Sequence, residues 1–223
     1  MDKIDLYQIH FPSVLVFWDG LADCFDQGLV KAVGVSNYGS EAVRAISRTL
    51  AARGIPLTSN QIQYSLVYRF PELNGMKATC DELGVKILAY SPLGLGALTG
   101  KWTETSLPEG PRGQIATKLL KDPNWSLLLD AMKDVAKQHG ADTTLSQVAI
   151  AWCIAKGTTP IPGVRNVRQA EDNIRAISLA LTGNEVAALD AAAAKVAPYI
   201  EPTASPFNNL RQSFDTKQAM YEA

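Results

Sequence analysis

The chain reads Val-Lys-Ala-Val-Gly-Val-Ser-Asn-Tyr at residues 30–38, a short apolar run that ends in polar turn residues. Valine and other β-branched residues are enriched in strands, whereas Ser and Asn are favoured in turns. The apolar part is too short for a typical helix. Residues 30–35 are therefore predicted to form a strand that ends just before Ser36 and Asn37.

Runs of the same kind recur on both sides of this stretch and predict four more strands, at Ile4–Ile9, Thr58–Tyr64, Val85–Tyr90 and Thr158–Ile161. The first four strands begin about 27 residues apart, close to the roughly 30 residues of a βαβ unit. Parallel strands need crossover connections of that length. The spacing therefore predicts an α/β fold with a parallel sheet covered by helices.

Helix-capping signals fill the intervals between the predicted strands. A Ser, Thr, Asp or Asn before an amphipathic segment, and a Gly after it, mark the two ends of a helix. These signals predict helices after caps at Asp19, Ser40, Thr144, Asn166 and Thr182, and over residues 75–83 and 125–139. Residues 93–123 are rich in Gly and Pro and are predicted to form a long loop, a common place for a binding site.

The composition excludes several classes of protein. The 223 residues suffice for one domain, predicted over residues 1–196, with a peripheral tail at 197–223. The 21 Lys and Arg nearly balance the 22 Asp and Glu, so binding to nucleic acid or to an anionic membrane surface is not expected. No apolar run approaches the roughly 20 residues that cross a bilayer. Cys24, Cys80 and Cys153 lie far apart in apolar segments, which predicts reduced thiols and neither disulfides nor a metal site.

Residues 4–12 read Ile-Asp-Leu-Tyr-Gln-Ile-His-Phe-Pro, and this string resembles the fourth strand of the aldo/keto reductases. The resemblance continues through nearly every segment to about residue 196. It implies an incomplete (β/α)8 TIM barrel in which the five predicted strands are strands four to eight. The catalytic Tyr, Lys and Asp of the family lie on strands one to three. The resemblance thus implies an N-terminally truncated chain in which these three residues would precede residue 1.

The resemblance assigns the first strand ends to the substrate and to the nicotinamide ring. His10 matches the family's His beside the substrate carbonyl, Ser36 and Asn37 match the pair that binds the nicotinamide carboxamide, and Gln61 matches the Gln that completes this grip. Each assignment has a structural alternative. A single His is more often structural than catalytic, Ser-Asn is favoured in turns, and the Gln61 amide could bond to a neighbouring backbone group.

Residues 85–102 resemble the seventh strand and the cofactor loop of the family, and they read Val-Lys-Ile-Leu-Ala-Tyr-Ser-Pro-Leu-Gly-Leu-Gly-Ala-Leu-Thr-Gly-Lys-Trp. The resemblance implies that Tyr90 stacks on nicotinamide. It also implies that the backbone around Ser91, Leu93 and Gly96 approaches the pyrophosphate, where glycine permits close contact. The glycine spacing alone indicates only a flexible loop and does not fit a Rossmann fingerprint.

Residues 159–174 resemble the eighth strand, the phosphate loop and the helix that follows, and they read Thr-Pro-Ile-Pro-Gly-Val-Arg-Asn-Val-Arg-Gln-Ala-Glu-Asp-Asn-Ile. Barrel enzymes often bind phosphate here. The resemblance implies that Gly163 and Arg165 meet the adenosine phosphate, that Gln169 meets the adjacent ribose or phosphate, and that Asp172 and Asn173 meet the adenine. An Arg beside the 2′-phosphate favours NADP over NAD.

The implied activity is NADPH-dependent reduction of an aldehyde or ketone, with His10 orienting the carbonyl oxygen while hydride passes to the carbonyl carbon. Because no residue here matches the family's Tyr acid, three alternatives stay open. They are a catalytically silent NADP-binding regulatory module, a nonfunctional fragment, and a fragment that assembles with a complementary chain. The resemblance is to plastid members of the family, which implies a chloroplast location, with the cytoplasm as the other choice. The substrate and the oligomeric state cannot be read from the sequence.

Overall fold

A computed structural model describes residues 3–12 and 15–197 of the chain. The predicted tail at 197–223 lies outside these ranges except for its first residue. The described strands are β1 (Ile4–Ile9), β2 (Val30–Ser36), β3 (Leu57–Gln63), β4 (Lys86–Tyr90) and β5 (Thr159–Ile161). Each boundary falls within one residue of the predicted one, because the apolar β-branched runs and their flanking turn residues mark the strands clearly.

Helices alternate with the strands along the chain. They are α1 (Leu15–Asp26), α2 (Ser40–Ala51), α3 (Phe70–Leu73), α4 (Met76–Glu82), α5 (Pro111–Leu120), α6 (Trp125–Gln138), α7 (Leu145–Ala155), α8 (Val167–Arg175) and α9 (Gly183–Ala193), with short 3-10 segments at Gly94–Thr99 and Ala176–Ser178. The predicted caps at Thr144, Asn166 and Thr182 are confirmed, since each side-chain oxygen accepts a hydrogen bond from the backbone N–H three residues on.

Three predictions about helices are wrong. Asp19 does not begin a helix, because α1 already starts at Leu15 and Asp19 lies inside it. Ser40 is the first residue of α2, and the capping position belongs to Gly39, with no side-chain cap. Residues 93–123 are not one loop, because α5 forms within them with Pro111 in its first turn, where the missing N–H of proline is not needed.

The sheet follows the order of the chain, with hydrogen-bonded neighbours β1-β2-β3-β4-β5. The pairs β1–β2 and β2–β3 are parallel, and Ser36 of β2 stands opposite Gln61 of β3. Parallel strands in sequential order, with a helix after each, fit part of a (β/α)8 barrel. In such a sheet the carboxyl ends of the strands meet at one edge, and this edge holds the first group of site residues.

The chain divides into two compact units. Within the described residues, the first unit combines the chain up to Ile62 with Phe70–Leu88, and the second combines Gln63–Arg69 with the chain from Ala89 onward. The first unit has a core in which α1 and α2 pack on the sheet, with Val33, Val35 and Ile46 fully buried. Buried Trp18 donates through Nε1 to the hydroxyl of Tyr38 at 2.9 Å, so the turn after Asn37 is tied to α1.

The second unit is built around α7, whose residues from Gln147 to Cys153 are all buried. Trp152 stacks on Tyr64 with ring centroids 5.1 Å apart, and its Nε1 donates to Asp190 of α9 at 2.9 Å. Lys156 lies over the same indole ring and also donates to the Asp190 carboxylate, at 2.8 Å. The Asp190 carboxylate therefore joins α9 to the end of α7, and the aromatic pair joins α7 to the segment after β3.

The cysteines are free thiols, as predicted, and Cys80 and Cys153 are buried. Burial raises the pKa of the Cys80 thiol to about 12, which leaves it protonated and unreactive at neutral pH. Within residues 3–12 and 15–197, every helix is too short or too polar to span a bilayer.

Candidate functional site

The first group of predicted site residues lies at the carboxyl ends of β1, β2 and β3. His10 follows the last residue of β1, Ser36 ends β2, Asn37 comes next, and Gln61 lies in β3 opposite Ser36. These positions are adjacent because the three strands are parallel neighbours and Ser36 pairs with Gln61. We call Gln8, His10, Ser36, Asn37 and Gln61 the strand-end cluster, since Gln8 of β1 also joins it.

The polar atoms of this cluster bond mainly to one another. The Asn37 Nδ2 group donates to the backbone oxygen of His10 and to Ser36 Oγ, both at 3.1 Å. Ser36 Oγ in turn donates to the backbone oxygen of Gln61 at 2.8 Å, and the Asn37 backbone N–H donates to the same oxygen at 2.9 Å. Both side chains are buried, with exposures of 2 % and 4 %. The fold itself therefore fixes the positions of Ser36 and Asn37.

Asn37 also has an unusual backbone conformation. Its φ of 62° lies in the left-handed region, which Asn tolerates better than most side chains. His10 contributes its backbone oxygen to the cluster, while its imidazole is exposed and meets the Phe11 ring edge-on at a centroid distance of 4.5 Å. An exposed imidazole at a strand end is accessible to a ligand.

The second group of predicted residues lines a groove in the second unit, with a volume of about 670 Å³. We call it the cationic groove. Eight predicted residues line it together, namely Ser91, Leu93, Gly96, Gly163, Arg165, Gln169, Asp172 and Asn173. They come from the segment after β4, the segment after β5 and the first turns of α8. The structure therefore brings together residues that are more than 70 positions apart in the sequence.

Positive charge dominates the lining of the groove. Lys101, Arg112 and Arg165 contribute three cationic groups, against one carboxylate, that of Asp172. The Asp172 carboxylate already accepts hydrogen bonds from Thr144 Oγ1 at 3.0 Å and from Gln147 Nε2 at 2.7 Å. A surplus of cations in a concave surface favours an anionic ligand.

The start of α8 shapes one wall of the groove. Asn166 caps the helix by accepting from the Gln169 backbone N–H at 3.0 Å, and Gln169 Oε1 accepts from the Arg165 backbone N–H at 2.8 Å. The side-chain nitrogen of Asn173 is buried and has no hydrogen-bond partner in the described part of the chain. A buried donor without a partner is costly, and a ligand acceptor would satisfy it.

The part of the groove formed by the segment after β4 has an unusual backbone conformation. Ser91 and Leu95 have φ values of 52° and 60°, and Gly96 has 110°. Only glycine adopts the last value readily. Gly163 differs, because its φ is ordinary and a Cβ added there would meet no atom within 4 Å. The protein itself does not require glycine at 163, but a ligand filling that space would.

Tyr90 ends β4 in the second unit, and its backbone oxygen accepts from the Tyr64 N–H at 3.3 Å. Each predicted site residue thus has a defined place inside its own unit. The convergence of Ser36, Asn37, Gln61, Tyr90 and Arg165 on one dinucleotide stays a prediction, as do the individual roles of all thirteen predicted site residues.

Sequence reasoning missed several residues of these two sites. Lys101, Trp102, Arg112 and Ser146 line the cationic groove, and Gln8 joins the strand-end cluster. Lys101 and Trp102 end the quoted motif at residues 85–102 and could have been noticed. Arg112 belongs to α5, in the segment predicted to be a loop, and Gln8 makes its contact with Gln61 across 53 positions of sequence. Among the described residues, no group of three or more His, Cys, Asp or Glu could hold a metal ion.

Alternating strands and helices, parallel pairing, and polar side chains gathered after the strands define an α/β protein of the (β/α)8 plan. The comparison with known families narrows this class. Residues 1–194 match the model of the aldo/keto reductase family, and the chain belongs to that family.

Individual relatives agree with the family assignment. The chain is 42 % identical to "Pyridoxal reductase, chloroplastic" of Arabidopsis thaliana, over 97 % of this chain and 58 % of that protein. It is 31 % identical to "Aldo-keto reductase yakc [NADP(+)]" of Schizosaccharomyces pombe, over 82 % of this chain and 55 % of the other. The chain therefore spans somewhat more than half of the length of these relatives.

A solved structure shows the same fold. The crystal structure of the thermostable aldo-keto reductase Tm1743 with the inhibitor epalrestat matches with a TM-score of 0.64 at 27 % identity. The match covers 86 % of this chain and 61 % of the other.

Proposed function

We propose that this chain binds NADP(H) and contributes the cofactor-binding part of an oxidoreductase that reduces an aldehyde or ketone. The cationic groove holds the phosphates and the adenosine, and the strand-end cluster takes the nicotinamide carboxamide. The observation that carries the proposal is the groove itself, because eight residues expected at the cofactor phosphates and adenosine line one cavity in the second unit.

The residues of the groove fit the chemistry of the cofactor. Lys101, Arg112 and Arg165 supply three cations for the pyrophosphate and the 2′-phosphate. The unpaired Asn173 Nδ2 supplies a donor for a ring nitrogen of adenine. The open space at Gly163 allows a ligand to approach the backbone closely.

When bound, the cofactor supplies the hydride that reduces the carbonyl carbon. The residues of this chain orient the reactants. His10 is exposed at the end of β1, where its imidazole can donate a hydrogen bond to the carbonyl oxygen as negative charge develops on it. Gln61 Oε1 has no hydrogen-bond partner within the described ranges and can accept from the carboxamide NH2.

The most similar relative named above suggests the substrate class and the location. A protein called a chloroplastic pyridoxal reductase is 42 % identical to this chain, so we propose an aromatic aldehyde of the pyridoxal kind as substrate and the chloroplast as location. Measuring NADPH oxidation with pyridoxal and with a simple aliphatic aldehyde tests the substrate class. Equal rates with both would contradict the aromatic preference.

The decisive experiment is a titration of the full chain with NADPH, followed by quenching of its tryptophan fluorescence. Saturable binding is expected with a Kd between about 1 μM and about 1 mM, the range of typical KM values of enzymes. NADH, which lacks the 2′-phosphate, serves as the matched control and is expected to bind more weakly. Absence of saturation by NADPH would overturn the proposal.

A further inference from the structure

We propose that Gln8 is a positioning residue, which fixes the orientation of the Gln61 amide and thereby leaves Gln61 Oε1 as the atom offered to a ligand. The inference rests on the proposed binding of the nicotinamide carboxamide and adds a residue to it. It starts from three connected hydrogen bonds of the Gln8 amide, which link β1 to β2 and β3.

The first link sets the orientation of the Gln8 amide. Gln8 Nε2 lies 3.1 Å from the backbone oxygen of Val35 and 3.2 Å from Ser59 Oγ. A backbone carbonyl can only accept a hydrogen bond, so the amide group facing Val35 has to be the NH2. A flipped Gln8 would place two oxygens against each other. Gln8 therefore has one stable orientation.

The second link transfers this orientation to Gln61. With its nitrogen committed, Gln8 presents Oε1 to Gln61 Nε2 at 3.1 Å. An oxygen in this position selects the NH2 of Gln61 as its neighbour, because a flipped Gln61 would again bring two oxygens together. The acceptor Gln61 Oε1 is consequently left on the other side of the amide. A backbone oxygen of β2 thus determines the polarity that Gln61 shows to a ligand.

Glycine in the middle strand makes the chain of bonds sterically feasible. Gly34 of β2 stands opposite Gln8 of β1 and Ser59 of β3. A Cβ at Gly34 would collide with Ser59 Oγ and would lie 3.1 Å from Gln8 Cγ. The φ of Gly34 is ordinary, so space and not backbone conformation requires glycine. The missing side chain lets Gln8 reach Ser59 across β2.

A fixed acceptor predicts a preference between two cofactors that differ by one donor. In the 3-acetylpyridine analogue of NADP+, a methyl group replaces the carboxamide NH2, while the carbonyl remains. Gln61 Oε1 can bond to NADP+ but would be left unpaired by the analogue. The wild-type chain is therefore expected to bind NADP+ about tenfold more tightly than the analogue.

The test measures both dissociation constants for the full chain and for three variants at pH 8. In Gln8→Leu the Gln61 amide can flip, so the ratio of the two constants is expected to fall to about two or less. In Gln8→Glu one carboxylate oxygen still accepts from Gln61 Nε2, while the other faces the Val35 oxygen, so the variant is expected to be less stable than the wild type but to keep the ratio. Gln27→Leu, a change at an exposed glutamine of the same unit, serves as the control.

The outcomes separate this inference from the proposed function. If Gln8 only filled space, Gln8→Leu would weaken both ligands equally and keep the ratio, which would overturn the inference while leaving NADP binding intact. If the wild-type chain binds neither ligand, the proposed function fails. The side-chain amide NMR signals of Gln61 then test whether Gln8 orients the Gln61 amide. Those signals should lose their hydrogen-bonded downfield shift in Gln8→Leu and keep it in Gln8→Glu, and unchanged signals in Gln8→Leu would refute the positioning role.

Discussion

The strand-end cluster and the cationic groove use their polar atoms in different ways. In the cluster, Asn37 Nδ2 and the Ser36 hydroxyl are committed to protein acceptors and are buried. In the groove, Arg112 and Arg165 are exposed, and no ion pair of either guanidinium is found within the described part of the chain. The first region is therefore stabilised by its own contacts, whereas the second has charges that a ligand can still use.

This difference has an energetic meaning. Removing a member of a closed hydrogen-bond network leaves its partners buried and unpaired, which lowers the free energy of unfolding. Removing an exposed cation changes stability little, because exposed charges contribute little to folding. It does remove a charge-assisted bond to a phosphate. Variants in the cluster should therefore change stability first, and variants in the groove should change NADPH affinity first.

The largest expected effect is the loss of cofactor binding when two groove cations are removed. The double variant Arg112→Ala/Arg165→Ala is expected to raise the Kd for NADPH by about a hundredfold or more, since each charge-assisted hydrogen bond contributes about 1.5 to 3 kcal/mol. Its melting temperature should stay within about 2 °C of the wild type. The control is Arg168→Ala/Arg175→Ala, which removes two exposed arginines of α8 that do not line the groove. Equal losses of affinity in both double variants would mean that only the net charge matters.

The second prediction concerns Asn37, where a substitution is expected to change the stability of the protein before it changes NADPH affinity. Asn37→Ala removes the donors to the His10 oxygen and to Ser36 Oγ. It also places alanine, which tolerates the left-handed region less well than Asn, at a φ of 62°. The free energy of unfolding, measured in urea, is expected to fall by about 2 to 3 kcal/mol. Asn37→Gly loses the same bonds but tolerates the φ, so it should cost about 1 kcal/mol less than Asn37→Ala. If both variants were as stable as the wild type, the cluster would not be a structural network.

The third prediction tests whether the open space at Gly163 is needed by the ligand and not by the packing of the protein. In Gly163→Val the new side chain enters space where the protein has no atom within 4 Å of the Cβ position. The Kd for NADPH is expected to rise about tenfold because the valine occupies room that the ligand needs. The melting temperature should not fall. Gly183→Val, at a glycine of α9 that is equally open and of ordinary φ, is the matched control. Unchanged NADPH affinity in Gly163→Val would remove residue 163 from the cofactor site.

The strands and most caps could be predicted from the sequence because they depend on neighbouring residues. Val30–Ser36 is marked by its own β-branched run, and Thr182 is marked by Glu185 three residues later. The prediction at Asp19 failed for a different reason. The apolar residues before it read equally well as a strand or a helix. In the structure Trp18 lies in α1, where it is buried and donates to Tyr38. Pro111 could have indicated the start of α5, but the surrounding Gly and Pro favoured a loop.

The site residues were predicted from the family resemblance. The hydrogen bonds that these residues make could not be predicted from the sequence. No local pattern indicates that Asp172 accepts from Thr144 and Gln147, which lie 28 and 25 positions away. The same holds for Gln8 and Gln61, whose contact depends on a glycine in the strand between them. Hydrogen bonds between distant side chains follow from the register of the sheet and the packing of helices, and both emerge only in the folded chain.

The smallest expected effect concerns the hydrogen-bond network of Glu185, in the same unit as the groove. It tests whether this network contributes to stability and not to NADPH affinity. Glu185 is buried and accepts from the Thr182 N–H at 2.7 Å, from Thr182 Oγ1 at 2.9 Å and from His139 Nε2 at 2.8 Å. Burial raises the pKa of the Glu185 carboxyl, but the hydrogen bonds from Thr182 and His139 lower it by more, so the pKa lies below its ordinary value of 4.5.

A carboxyl whose pKa is lower in the folded state than in the unfolded state stabilises the fold above its ordinary pKa, and this contribution is lost as the pH falls through the folded pKa. Glu185→Gln is therefore expected to lower the free energy of unfolding by about 1 kcal/mol at pH 7, because neutral hydrogen bonds replace charge-assisted ones. The gap to the wild type should narrow as the pH falls from about 5 to about 3. NADPH affinity should not change, because Glu185 does not line the groove. The exposed Glu171→Gln serves as the control, and a gap that stayed constant over this pH range would show that the ionised carboxylate is not what stabilises the cap.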